Sequence, residues 1–177
     1  MSNLIGVYGG SFDPVHNAHL FIAEHARRIY GFKKLIWVPT PKNPDKKHNP
    51  TYPYERRCHM VRLVLPNPIE HIVFESKAIY SVDVIKDLRK KSVGGSDASY
   101  CLILGTDLQD QYPDWEGIDE LRKLITYIIW VSRPGYSKGN IDCPLIISST
   151  DIKDRLQQHN PVHGLVHPAV ERQLTTK

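Results

Sequence analysis

Cysteine is scarce: three residues in a chain of 177, Cys58, Cys101 and Cys143. Their number is odd and no two stand at Cys-x-x-Cys spacing. A disulfide framework is therefore not expected, and reduced thiols point to a cytoplasmic protein. The first residues hold no basic stretch followed by a long apolar run, so no secretory signal is expected. No apolar run approaches the ~20 residues of a membrane-spanning helix, so no membrane partner is expected either. Two common glycine signatures are also missing. Without Gly-x-x-x-x-Gly-Lys-Ser/Thr the chain has no P-loop, and without Gly-x-Gly-x-x-Gly a dinucleotide-dependent oxidoreductase lacks support. Charge of one sign does not dominate, because 23 Lys and Arg against 19 Asp and Glu leave +4. The basic residues are scattered and the densest stretch, 42–48, is short. That argues against nucleic acid as a partner and suits a small anionic ligand.

The composition that remains, 41% hydrophobic and 24% charged, is that of an ordinary globular protein. The length suits one domain over 1–177 with a real core, and neither an internal repeat nor a linker is visible. Strand-like and helix-like segments alternate. Apolar runs at 4–8, 35–38, 69–74, 100–104, 126–131 and 145–147 predict strands. Helices are predicted over 20–26, 54–65, 150–157 and 168–174, with a further stripe of Val82, Ile85 and Leu88 ending near Lys91. Residues 39–53, rich in Pro, Lys and Asn, predict a long polar loop of the kind that often closes over a ligand. The alternation predicts an α/β fold with a mostly parallel sheet and helices on both faces. In such sheets the ligand crevice lies at the carboxyl ends of the strands.

The polar motifs fall at those ends. The first strand runs into Gly9-Gly10-Ser11-Phe12-Asp13-Pro14-Val15-His16-Asn17-Ala18-His19 and then into a helix. A strand, a glycine turn and a helix start leave free backbone N–H groups and a helix dipole aimed at one point, a ready anion site. His16 and His19, three apart, share a helix face and can address one phosphate. They could instead be a metal pair, but no nearby Cys or Glu completes a ligand set, and no residue is assigned as a metal ligand. Asp13 has a plain alternative as a cap of the helix start.

This segment resembles the Gly-Gly-Thr/Ser-Phe-Asp-Pro-x-His-x-Gly-His signature of the nucleotidyltransferase superfamily. A second segment, Ile147-Ser148-Ser149-Thr150-Asp151-Ile152-Lys153-Asp154-Arg155, resembles that superfamily's Ile-Ser-Ser-Thr-x-Ile-Arg-x-Arg. His16 stands where the pantetheine-phosphate branch has Thr. The chain is most similar to bacterial nicotinate-nucleotide adenylyltransferases, from residue 4 to about 174. The resemblance implies a Rossmann-like nucleotidyltransferase fold. It also implies transfer of AMP from ATP to nicotinate or nicotinamide mononucleotide, with Mg²⁺ accompanying ATP and pyrophosphate leaving. The partners it implies are small-molecule nucleotides, with self-association left open.

On the same resemblance, His16, His19 and Lys46 would act on the phosphates at the reacting centre. Gly9, Gly10, Ser11, Phe12, Gly105, Asp107, Ser148, Ser149, Thr150, Lys153 and Arg155 would bind ATP. Tyr80, Ser81, Trp115 and Arg133 would bind the mononucleotide, with Trp115 stacking on the pyridine ring. Several positions depart from the family pattern: Ala18 for Gly, Asn43 for Pro, Asp45 for His, Ile118 for Trp and Lys153 for Arg. Two alternatives stand beside this expectation. One is a nucleotidyltransferase with another acceptor, favoured if Trp115 is buried away from the crevice. The other is a nucleotide-binding module without catalysis.

Overall fold

A computed structural model describes residues 3–42, 49–67 and 69–175. Five strands form one parallel sheet: β1 (Leu4–Gly10), β2 (Lys34–Pro39), β3 (His71–Val73), β4 (Ser99–Gly105) and β5 (Tyr127–Val131), in the order β3-β2-β1-β4-β5. The helices are α1 (Asn17–Tyr30), α2 (Tyr54–Leu63), α3 (Ser81–Lys90), α4 (Ile118–Leu124), α5 (Ser149–Gln157) and α6 (Pro168–Thr175). Both faces of the sheet are covered, as the near-continuous apolar strands demand. Tyr8, Leu35, Trp37, Cys101, Ile103 and Ile129 point to the face packed by α1, α2, α5 and α6. Ile5, Val7, Ile36, Val38, Leu102 and Leu104 point to the face packed by α3 and α4. The period-2 alternation of side chains along each strand makes this division.

Helix α1 buries Ala18, Ile22, Ala23 and Ala26, one stripe at helical spacing. It ends at Gly31, whose φ of 65° is the left-handed conformation that glycine adopts without a Cβ penalty. The Phe32 N–H then returns to the Arg27 carbonyl at 3.1 Å. Gly6 is required for a different reason: a Cβ there would stand 2.7 Å from the Phe32 ring.

Strand order reverses between β1 and β4, since β1 leads outward to β2 and β3 and β4 leads the other way to β5. Chain leaving the two strands diverges and opens a crevice at their carboxyl ends. Two expectations need correction. Residues 145–147 form no strand: Ile141 bridges Val131 instead, and Ile146 is 88% exposed. Among the described residues the one bridge on the outer side of the edge strand β5 is made by Ile141, and Pro144, which has no N–H to donate, follows it. The segment Ile118–Leu124, not foreseen as a helix, is α4; it buries Leu121 against the α3 side of the core.

Candidate active site

The crevice contains a cleft of about 590 Å³. Gly9, Gly10 and Ser11 from the end of β1 form part of its wall, with Thr40 beyond β2 and Leu104 near the end of β4. Tyr80 and Ser81 at the start of α3 line it, as do Asp110, Gln111, Asp114, Trp115 and Glu116 from the segment after β4. The structure thus brings together six of the expected residues, Gly9, Gly10, Ser11, Tyr80, Ser81 and Trp115. Trp115 follows the 3₁₀ turn Tyr112–Asp114 and meets the Tyr112 ring edge-on, with centroids 5.4 Å apart. Its indole Nε1 is buried without a hydrogen-bond partner among the described residues. Trp115 therefore opens on the cleft rather than lying away from it.

Phe12 turns the chain out of β1. Its φ is 45°, a left-handed conformation strained for a residue with a side chain. Packing over-determines it, for the ring is 2% exposed and lies against Tyr8, Trp37 and His19 at 5.5, 5.3 and 5.0 Å. Gly10 makes room, because a Cβ there would come within 3.1 Å of the same ring.

His16 is the N-cap of α1 rather than part of its first turn. The His16 N–H donates to His19 Nδ1 at 3.2 Å, and the two imidazoles stack with centroids 3.6 Å apart. Because His19 Nδ1 accepts, a neutral His19 carries its proton on Nε2. His16 is 3% exposed, and its Nδ1 has no hydrogen-bond partner among the described residues. Burial, helped by the Arg133 cation, pulls its pKa down to about 3, so it is neutral near pH 7.

Asp13 is not a cap. Its carboxylate, 4% exposed, accepts the Thr51 and Tyr52 N–H groups at 2.9 Å each and pairs with Lys153 Nζ at 3.0 Å. Lys153, expected among the ATP-binding residues, is thereby committed to the turn after β1. Ser149 Oγ donates to the Pro14 carbonyl at 2.9 Å, so the two sequence motifs meet at the start of α5. Ser148 caps α5 by accepting the Asp151 N–H at 3.0 Å. Thr150 is exposed, and Arg155 pairs with Asp151 across one turn at 3.2 Å.

On the β4–β5 side Arg133 Nε faces Asp107 Oδ1 at 3.6 Å, too long for a hydrogen bond, and both atoms are otherwise unpartnered among the described residues. Gly105 permits this approach, since a Cβ there would meet Asp107 Oδ1 at 2.1 Å. Lys46 lies outside the described residues. Sequence reasoning missed Arg57 of α2, which is 1% exposed. The stretch Glu55-Arg56-Arg57 has the look of a solvated helix face, and nothing local marks one of its arginines as buried.

Among the described residues no group of three or more His, Cys, Asp or Glu side chains is placed to hold a metal ion. Asp13 is consumed by Lys153 and Asp107 is opposed by Arg133. That donor set does not make a metal cage among the described residues.

The cytidylyltransferase-like family model matches residues 7–155. A protein of Streptococcus mutans named "Probable nicotinate-nucleotide adenylyltransferase" is 34% identical over 174 residues, covering 92% of this chain and 81% of that protein. One of the same name from Bacillus pumilus is 33% identical over 180 residues, covering 95% and 93%. Among solved structures, Plasmodium falciparum nicotinic acid mononucleotide adenylyltransferase complexed with NaAD superposes with a TM-score of 0.77 at 18% identity, over 96% of this chain and 93% of that one. At that identity the match speaks for the fold, which is the α/β nucleotidyltransferase fold. With the model spanning most of the sequence and relatives above 30% identity covered nearly end to end, the chain belongs to the cytidylyltransferase-like family and to its nicotinate-nucleotide adenylyltransferase branch.

Proposed function

We propose that this chain joins the AMP part of ATP to nicotinate mononucleotide, releasing pyrophosphate and forming the dinucleotide. The observation that carries the choice of acceptor is the start of α3. Tyr80 occupies its N-cap without a side-chain cap, and Tyr80 and Ser81 line the same cleft as Trp115. An uncapped helix N-terminus presents N–H groups and positive dipole to a carboxylate, while an aromatic face takes a planar ring.

The nucleophile is a phosphate oxygen of the mononucleotide, already an anion, so no base is needed. It attacks the α-phosphorus of ATP and the bond to the pyrophosphate oxygen breaks. The protein's task is to align two polyanions and to meet the charge that develops. His19 Nε2–H and the turn at Gly9–Phe12 serve as preorganised donors, and the α1 dipole adds positive potential. Neutral His16 supplies a further ring nitrogen without adding a buried charge before ATP arrives. Gly105, Asp107, Ser148, Ser149, Thr150 and Arg155 frame the ATP side, and Arg133 offsets substrate charge. Lys153 contributes through Asp13. Mg²⁺, carried in on the ATP phosphates, offsets their charge when bound.

A second acceptor is favoured by one observation: Asp110, Asp114 and Glu116 line the cleft, and three carboxylates suit the neutral amide better than the acid. Pyrophosphate release with Mg-ATP, run with nicotinate and with nicotinamide mononucleotide, separates the two. The acid alone should support turnover. His19→Ala should then cost ~2–4 kcal/mol of transition-state stabilisation, seen as a fall in kcat with ATP binding weakened less. A near-normal rate in that variant would remove His19 from the reacting centre.

A further inference from the structure

We propose that Arg57, on α2 and outside the cleft, is a positioning residue that sets the phosphate-binding turn for turnover. Its guanidinium is almost wholly enclosed. Nη1 donates to the Ser11 carbonyl and, at 2.9 Å, to the Thr40 carbonyl. Nη2 donates to the Pro41 carbonyl at 3.1 Å, and Nε to the Tyr52 carbonyl at 3.0 Å. The Tyr54 ring stacks over the cation at 5.6 Å. One side chain thus gathers the turn after β1, the chain leaving β2 and the chain entering α2. No carboxylate is hydrogen-bonded to it among the described residues; the Asp13 charge is a neighbour rather than a partner.

Buried guanidinium without an ion pair is costly, and it is tolerated where several carbonyls satisfy its N–H groups. Here the carbonyls belong to the crevice. The Ser11 carbonyl matters most. In a planar trans peptide the C=O and the following N–H point in opposite directions. With the Ser11 oxygen held on Arg57, the Phe12 N–H faces away from α2. Phe12 is the residue with positive φ, so the strained turn is braced twice, by ring packing on one side and by Arg57 on the other. Thr40 is held in the same way: its N–H donates to the Gly10 carbonyl at 2.9 Å while its own carbonyl goes to Arg57. Gly10, Ser11 and Thr40, three residues of the cleft wall, depend on one cation that substrate does not touch. Lysine keeps the charge but has no planar fork, and one ammonium cannot serve four carbonyls spread around a plane.

The proposal rests on the adenylyl-transfer function, and its test separates the two. Wild type and R57K are compared in pyrophosphate release with Mg-ATP and nicotinate mononucleotide. R57K should lower kcat by roughly 10–100-fold with KM for either nucleotide changed much less, the pattern of displaced donors rather than lost binding contacts. Exchange of the backbone amides at residues 9–12, measured without substrate, should quicken in R57K while amides of β4 keep their protection. That second readout holds whatever the chain turns over, so an inactive wild type would refute the function and leave Arg57 still decided. R57A, which strands four carbonyls, should lose the same rate and regain part of it with millimolar methylguanidinium but not with methylammonium. A cooperatively folded R57K with wild-type kcat and unchanged exchange at residues 9–12 would overturn the proposal. So would an R57K chain that does not fold, which would make Arg57 a folding residue.

Discussion

His16 shows how a single burial event sets chemistry. Its imidazole is enclosed at the head of α1, stacked on His19 and within reach of the Arg133 field, and its pKa falls from 6.5 to about 3. A folded-state pKa below the unfolded one means that the unfolded chain takes up the proton first. Stability from this site is therefore complete above about pH 6.5 and is lost as pH falls toward 3. His71, buried and also lowered, adds to the same slope. Replacing His16→Asn, which can still cap a helix, should remove roughly 2 kcal/mol of the difference in unfolding free energy between about pH 7 and about pH 5. Urea melts of both chains at the two pH values measure it, and an unchanged slope would mean that His16 is already solvated in the folded state. The two histidines were legible as a pair from their spacing alone. That one of them is an N-cap with a depressed pKa was not, because burial depends on chain far away in sequence.

At the scale of elements, the informative object is the junction of the turn after β1 with α5. Asp13 accepts two backbone N–H groups from the approach to α2 and one ammonium from α5, while Ser149 reaches Pro14. Asp13→Ala would take the partner from a half-buried Lys153 and from the Thr51 and Tyr52 amides, and unpairing partly buried groups of this kind costs about 1–3 kcal/mol. A matching drop in melting free energy is expected, whereas Arg155→Ala, which breaks only an exposed pair on α5, should cost under about 1 kcal/mol. The sheet's strands could be read from their continuous apolar runs, and the helices at 20–26 and from Val82 to near Lys91 from the stripes that α1 and α3 bury, whereas α5 buries Ile152 alone. The run at 145–147 misled for the complementary reason: it is apolar enough for a strand, but the chain meets the edge strand β5 earlier, at Ile141, and then leaves the sheet. Helix α4 escaped notice because it is only seven residues long, fully buries one leucine and carries four charges. Asp13 looked like a cap since the partners that claim it lie 38 to 140 residues on.

For the whole molecule, the place of the site follows from topology: the crevice is where strand order reverses, and both motifs converge there. The sequence motifs announced this convergence, while the cleft's own wall, with Thr40, Leu104 and Asp110, had no signature because those residues are ordinary wherever they occur. The bond between Asp13 and Lys153 closes a span of 140 residues, and β1 sits in the middle of the sheet with β4 as one neighbour. During synthesis, then, β1 emerges well before the chain that completes its cover. A ribosome must deliver α5 before the opening motif has its salt bridge, and contacts so distant in sequence favour slow, all-at-once folding over a stepwise one. A chain ending at residue 147 should show no cooperative melt, since it lacks Ile152, Val162, Val166 and Val170 from the core that backs β1. The nucleotide site is in this sense a checkpoint: a polypeptide translated only as far as β5 cannot assemble it.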